Sequence, residues 1–204
     1  MKRLVIGLAV AAIVAGCSVD QNPDSSDQAV AAAAFRAGGP TSLTLVTVVN
    51  NRTGAGGHTA LIVNGSQQVI FDPAGSFRDE RVVEKGDVLY GMTPGWVKAF
   101  KSAHARVTHH VVSQTVDVTP EQAERALNLV RSNGSVAGAY CANSTSGILA
   151  QIDGFQGINR TFYPVKLMDQ FALVPGVRTD TYYENDEGDV IDAVTAVKLA
   201  TSQS

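Results

Sequence analysis

The chain has 204 residues and 45% hydrophobic residues, enough for one globular domain of moderate size with a buried core. Charged residues make up 17%, a composition that excludes a mostly disordered chain. The formal net charge is −3 and no basic block is present, so we expect no nucleic-acid partner, because phosphate binding needs clustered Lys and Arg.

The first residues have the organisation of an export signal. Lys2 and Arg3 precede an apolar run, Leu4 to Ala15, that is too short for a membrane span, which needs about 20 residues. The run ends in IVAGC, which resembles the lipobox of bacterial lipoproteins. The resemblance implies that residues 1–16 are a signal peptide and that Cys17 is lipidated. An ordinary signal peptide with a cysteine nearby is the alternative.

A multiply acylated N-terminus would anchor the protein stably to a membrane. Ser18, in place of Asp, favours the outer membrane by resemblance to enteric lipoproteins, with the domain facing the periplasm. Residues 17–42 are polar, then Ala-rich, then Gly-Pro, and we expect them to form a tether with at most a short helix. A single domain, which we expect to be monomeric, follows from 43 to 204.

Strand signals dominate the first half of this domain. The sequence predicts β-branched strands over 43–50, 58–63 and 67–72, with a hairpin turn at Asn64-Gly65. A long strand is predicted over 106–118. Thr119, Pro120 and Gln122 then give a hydroxyl cap, a first-turn proline and a capping-box glutamine, which predict a helix ending at Asn133-Gly134. The expected fold class is α+β, a mainly antiparallel sheet packed against a few helices.

The next predicted helix begins at the second cysteine, Cys141. Apolar positions recur at helical spacing from Cys141 through Ile148 to Ile152. If Cys17 carries lipid, Cys141 is an unpaired thiol in an oxidising compartment, which is either buried and inert or kept for chemistry. A helix N-terminus favours anions and lowers a thiol pKa, as is typical of reactive cysteines.

A thiolate nucleophile needs a base, and His58 is the best of the four histidines. It opens a strand after the Gly-rich loop GAGG, and the same hairpin ends in Asp72. A two-residue turn would place Asp72 on the opposite face from His58. A three-residue loop pairing Val63 with Gln67 would place His58 directly opposite Asp72, and we predict this second register.

GGHTALIV, IFDPAG and YCANSTSGIL together resemble the circularly permuted papain-like cysteine hydrolases related to NlpC and to lecithin:retinol acyltransferase. In that group the histidine strand precedes the nucleophile helix. The resemblance implies that Cys141 is the nucleophile, with its backbone N–H in the oxyanion hole, that His58 is the general base and that Asp72 orients it. Tyr140 stands where the acyltransferase branch has Asn, which argues against lipid acyl transfer.

The function implied is a cell-envelope lipoprotein cysteine hydrolase, a peptidase or amidase that cleaves an amide bond without metal or cofactor. Peptidoglycan stem peptide is the expected substrate because of the location. A deacylase acting on lipid esters or amides is a near variant. A non-catalytic envelope lipoprotein, which uses the same fold for binding or scaffolding, is the alternative from another class.

Two further motifs are weaker. His109 and His110 are adjacent on a predicted strand and point to opposite faces, so they do not form a common metal site, and none is expected. The acidic stretch from Asp180 to Asp192 lacks calcium-loop spacing and is better interpreted as a solvated hairpin.

Overall fold

The computed structural model describes residues 23–75 and 77–185, which form one seven-stranded antiparallel sheet and five helices. The strands are β1 (Ser42–Asn50), β2 (Gly56–Asn64), β3 (Gln68–Phe71), β4 (Val83–Lys85), β5 (Val88–Tyr90), β6 (His109–Asp117) and β7 (Arg178–Tyr182). The helices are α1 (Asp27–Ala32), α2 (Pro94–His104), α3 (Pro120–Asn133), α4 (Cys141–Leu149) and α5 (Pro164–Phe171). The α+β class with an antiparallel sheet is confirmed.

The sheet has the order β4-β5-β3-β2-β1-β6-β7, and every neighbouring pair is antiparallel. Its middle strands are β-branched runs that are buried on both faces. Alternate side chains of β1 point to opposite sides, as the two-residue period of a strand requires. Leu43 and Leu45 pack in the cluster that includes α3, α4 and α5, whereas Val46 and Val48 pack in the cluster that includes α2.

The hairpin between β2 and β3 has a three-residue loop, but its register differs from the predicted one. Asn64 pairs with Gln68 and Val63 with Val69, because β2 continues one residue further than expected. Asp72 therefore follows the last residue of β3 and does not lie directly opposite His58. The prediction that His58 pairs directly with Asp72 was wrong, because the register is shifted by two residues. A shift by an even number of residues leaves both side chains on the same face of the sheet.

Helix α3 begins and ends as its sequence predicts. The Thr119 hydroxyl accepts from the Gln122 N–H at 3.2 Å, and the Gln122 side chain accepts from the Thr119 N–H at 2.8 Å. These two bonds complete the capping box. The apolar stripe of the helix, with Ala126, Leu127 and Val130, then faces the sheet.

Part of the segment predicted as a tether is hydrogen-bonded to the domain. The Ser25 N–H donates to the Glu84 carbonyl at 2.9 Å, and the Gln68 N–H donates to the Phe35 carbonyl at 2.7 Å. The signal segment and Cys17 lie outside the described residues, as does the acidic stretch beyond residue 185. Across the two described ranges, no helix has the length and apolarity needed to cross a bilayer.

Loss of the α3 cap should weaken the fold without changing the chemistry of Cys141. We expect Thr119→Ala to lower the free energy of unfolding by about 1 kcal/mol, since one first-turn N–H loses its partner. Thr119→Ser keeps the hydroxyl and is the matched control. Urea unfolding followed by circular dichroism measures the difference, and equal stability of the two variants would contradict the role of the cap.

Candidate functional site

Helix α4 presents Cys141 at its first position, as the sequence predicts. Its N-cap residue is Tyr140, whose side chain makes no capping hydrogen bond. The orphan N–H groups of a first turn therefore remain available to an anion, which they and the helix dipole stabilise. The small side chains of the helix make close packing possible, and Ala142, Thr145, Ser146 and Gly147 are all buried.

The site lies where β2 lacks a strand neighbour on one side. Strand β3 pairs with β2 only from Leu61 to Asn64, so the first half of β2 is left for other contacts. The Thr59 N–H in this half donates to the thiol of Cys141. The short length of β3 thus creates the space into which the start of α4 fits.

A β-bulge immediately precedes His58. On β1, Val48 pairs with His58 and Val49 pairs with Gly56, so Gly57 is an extra residue on β2. Such bulges bend a strand and redirect side chains next to functional sites. The crowded position is the neighbouring Gly56, where an added Cβ would lie 2.6 Å from Pro164 Cβ.

His58 and Asp72 meet despite the shifted register. His58 Nε2 lies 2.6 Å from Asp72 Oδ1. The two residues occupy the same side of the sheet on a diagonal, and the residue after a strand has enough freedom to reach across. Asp72 has 3% of its side chain exposed and His58 15%, so the pair is shielded from water but the imidazole is still accessible.

The backbone after β3 holds the Asp72 carboxylate in place. The Phe77 N–H donates to it. Gly75 lies so close that an added Cβ would come within 1.8 Å of Asp72 Oδ2. The glycine in the segment DPAG is therefore required by the position of the carboxylate, and the segment is more than a strand stop.

The thiol of Cys141 is perturbed by its neighbours. Burial by itself would raise its pKa, but the hydrogen bond and charge of His58, with backbone N–H groups of Thr59 and Ala142, lower the pKa below the ordinary value of 9.0. Cys141 is 8% exposed. The environment thus favours a thiolate that a small reagent can still reach.

The pKa of the His58 imidazole is raised and the pKa of the Asp72 carboxyl is lowered, so both groups favour their charged forms. Burial would lower the pKa of His58, but the charge and hydrogen bond of Asp72, together with Cys141, raise it to about 10. Burial would raise the pKa of Asp72, but His58 keeps it below its ordinary 3.8. At neutral pH the imidazole is therefore charged, and its charge favours the thiolate form of Cys141. Because Asp72 occupies Nε2, Nδ1 is the ring nitrogen left for the thiol.

His104, on α2, is a member of this cluster that its sequence context does not single out. Its ring stacks on that of His58, with the centroids 5.5 Å apart and the planes 12° from parallel. His104 Nδ1 lies 2.8 Å from the Phe100 carbonyl oxygen, and its buried Nε2 has no hydrogen-bond partner. Burial, with the nearby positive charge of His58, lowers the pKa of His104 and keeps the ring neutral. The sequence around His104 carries no motif that indicates this position.

Among residues 23–75 and 77–185, the side chains of His58, Asp72 and His104 form the group that could hold a metal ion. The candidate ligand atoms of His58, Asp72 and His104 lie within 4.8 Å of one another. Asp72 is, however, hydrogen-bonded directly to His58, and the stacked rings keep their nitrogen lone pairs in separate planes. Binding an ion would require both to move, so the arrangement fits acid–base chemistry better than coordination.

The remaining histidines have separate partners, in agreement with their alternation on β6. His109 Nδ1 lies 2.9 Å from the Thr108 hydroxyl, and His109 Nε2 lies 3.4 Å from Asn50 Nδ2. His110 Nδ1 lies 2.7 Å from Asn51 Oδ1. His110 also stacks on Tyr183. The two imidazoles therefore do not converge on one site.

No protein-family model, curated protein or solved structure matches this chain. The chemistry of the site itself is consequently the basis for assigning a function.

Removing the imidazole of His58 should raise the pKa of the Cys141 thiol. We expect His58→Ala to raise the pKa of Cys141 towards 9.0, because the main stabilisation of the thiolate is lost. The thiolate fraction at pH 7 then falls, and iodoacetamide should alkylate Cys141 about tenfold more slowly or worse. Alkylation followed by mass spectrometry across pH measures the shift. His110→Ala is the control, and a wild-type midpoint in His58→Ala would contradict the assignment.

The contact between Gly75 and Asp72 can be tested by adding a side chain at the glycine. We expect Gly75→Ala to displace the Asp72 carboxylate, which lowers the pKa of His58 from about 10 towards its ordinary 6.5. Titration of the imidazole proton resonances by NMR measures this. Gly157→Ala, where an added Cβ meets nothing within 4 Å, should leave the midpoint unchanged. An unshifted midpoint in Gly75→Ala would show that Asp72 does not depend on this glycine.

Proposed function

We propose that the protein is a cysteine hydrolase that cleaves an amide bond, with Cys141 as nucleophile, His58 as base and acid, and Asp72 as the residue that orients the imidazole. The observation that carries the proposal is that two neighbouring side chains have pKa values shifted in opposite directions. The pKa of Cys141 is lowered and that of His58 is raised, at an uncapped helix N-terminus. A merely structural cysteine needs none of these features.

The reaction would begin with attack of the Cys141 thiolate on the carbonyl carbon of the substrate. The electron pair moves to oxygen, and the Cys141 N–H would stabilise the resulting oxyanion. His58 Nδ1 then gives its proton to the leaving amine as the C–N bond breaks, which leaves a thioester. Water, deprotonated by His58, attacks the thioester; the C–S bond breaks, the acid leaves, and the Cys141 thiolate and the protonated His58 are restored.

Asp72 supports both halves of this cycle. Its carboxylate fixes the ring so that Nδ1 faces the sulfur, and its charge stabilises the imidazolium that forms each time His58 takes a proton. The neutral ring of His104 packs against the imidazole and limits its rotation. The residues converge from β2, the end of β3, α2 and α4.

The permuted papain-like group related to NlpC is the family we propose. Support comes from the order of the chain, with the histidine strand ahead of the nucleophile helix, and from α4 packing against β2. The apolar N-terminal run and the resemblance of IVAGC to a lipobox support the proposal of a lipid-anchored, periplasm-facing protein, on the outer membrane in a Gram-negative cell. That location favours peptidoglycan stem peptide as the substrate.

The decisive experiment incubates the full-length protein in detergent with muropeptides and, separately, with phospholipids, and identifies products by mass. We expect new amine and acid termini on the muropeptides and no turnover by Cys141→Ala, which should remain folded by circular dichroism. Activity should rise as Cys141 loses its proton below pH 9.0 and fall as His58 loses its own near pH 10.

The outcomes separate the alternatives. Turnover by Cys141→Ala would reject the mechanism. Release of fatty acid from phospholipid would identify a deacylase. A thiol that reacts slowly in the wild type, and no faster than in His58→Ala, would indicate a non-catalytic lipoprotein.

A further inference from the structure

A cavity with a mixed polar and apolar lining lies on the flank of α4. It has a volume of about 290 Å³. Its lining includes Tyr140, which immediately precedes Cys141, together with Asn143, Gly147, Gln151 and Arg160. No aspartate or glutamate is among the described residues that line it.

Arg160 gives this cavity a positive charge. Its guanidinium lies over Gly147, where an added Cβ would come within 2.6–2.7 Å of three guanidinium atoms. Within residues 23–75 and 77–185, no carboxylate forms an ion pair with Arg160. The missing side chain at Gly147 therefore lets an arginine lie flat on the helix while its donors stay available, and a guanidinium fork matches a carboxylate.

Other groups around the cavity suit a peptide. Gln151 Nε2 donates to the Gly147 carbonyl at 2.7 Å, which leaves the Gln151 carbonyl oxygen as an acceptor. The exposed rings of Tyr140 and Phe162 pack edge to face, with centroids 5.2 Å apart, and form an apolar rim. Amide acceptors, an aromatic rim and a guanidinium are what a short extended peptide with a terminal carboxylate would contact.

The position of Arg160 fixes how far that carboxylate lies from the bond attacked. Gly147 follows Cys141 by six residues on one helix, so the guanidinium lies about 9 Å further along α4 and about 120° around the helix axis from the nucleophile. An extended peptide advances roughly 3.3–3.6 Å per residue. We propose that this cavity binds the free carboxylate of a short extended peptide, a few residues from the scissile amide, so that the substrates are short acidic-ended peptides. The inference rests on the proposed hydrolase function.

Alkylation of Cys141 tests the cavity with probes that need no natural substrate. The probes are chloroacetyl-Ala-Ala with a free carboxylate and the same compound as a C-terminal amide. In each, the sulfur bonds to the methylene carbon and chloride leaves. We expect the full-length wild-type protein to react about fivefold faster with the carboxylate probe, because Arg160 holds it.

Three variants make the comparison specific. Arg160→Gln should remove the preference while its rate with iodoacetamide stays at the wild-type value. Arg160→Lys keeps the charge but loses the fork, and should give an intermediate ratio. Arg125→Gln, which removes an exposed arginine of α3 outside this cavity, should keep the full preference.

The failure of this inference can be told apart from the failure of the proposed function. Equal rates with both probes in the wild type, or an unchanged preference in Arg160→Gln, would overturn the carboxylate site even if iodoacetamide reacts rapidly. A phosphonate-ended probe that reacts faster than the carboxylate would also overturn it, in favour of a phosphoryl group. Slow, His58-independent alkylation by iodoacetamide would instead reject the nucleophile.

Discussion

The short length of β3 is the constraint on which the site depends. Because β3 pairs with β2 only from Leu61 to Asn64, the first half of β2 has a free edge, and the N-terminus of α4 fits there. The Thr59 N–H, which a longer β3 would occupy, bonds to Cys141 instead. The end of the same short strand places Asp72 beside His58. One truncated strand thus positions the thiol, the imidazole and the carboxylate together.

The electrostatics of the site follow from this placement. Burial alone would favour the neutral forms of both the thiol and the imidazole. The lowered pKa of Cys141 and the raised pKa of His58 therefore depend on several partners that act together. The Asp72 carboxylate is the third group of the site, and its charge and hydrogen bond raise the pKa of His58. Backbone contacts, which include the close approach of Gly75, hold this carboxylate in place. The neighbouring His104 stays neutral because the same burial acts on it without a partner at Nε2.

Helix α4 both leaves its N-terminus open to an anion and packs closely against the sheet. Its N-terminus has no side-chain cap, which weakens the helix but leaves N–H groups for an anion. Its small residues permit close packing on the sheet, with Ser146 bonding to the Ala142 carbonyl at 2.7 Å and accepting from the Thr161 N–H at 3.1 Å. Gly147 completes the pattern, because it admits the Arg160 guanidinium to the outer flank of the helix.

The sequence alone determined the local features. β-branched runs and the capping box at Thr119 predicted the main strands and α3, and the placement of Cys141 at a helix start was correct, because these signals act within a few residues. It also predicted that His58 and Asp72 would share a face, since an even register shift preserves facing. Only the tertiary structure decided the true register, the stacking of His104 on His58, the docking of the segment near Phe35 and the position of Arg160 over Gly147. Each of these depends on contacts between residues far apart in the chain, and no local propensity encodes them.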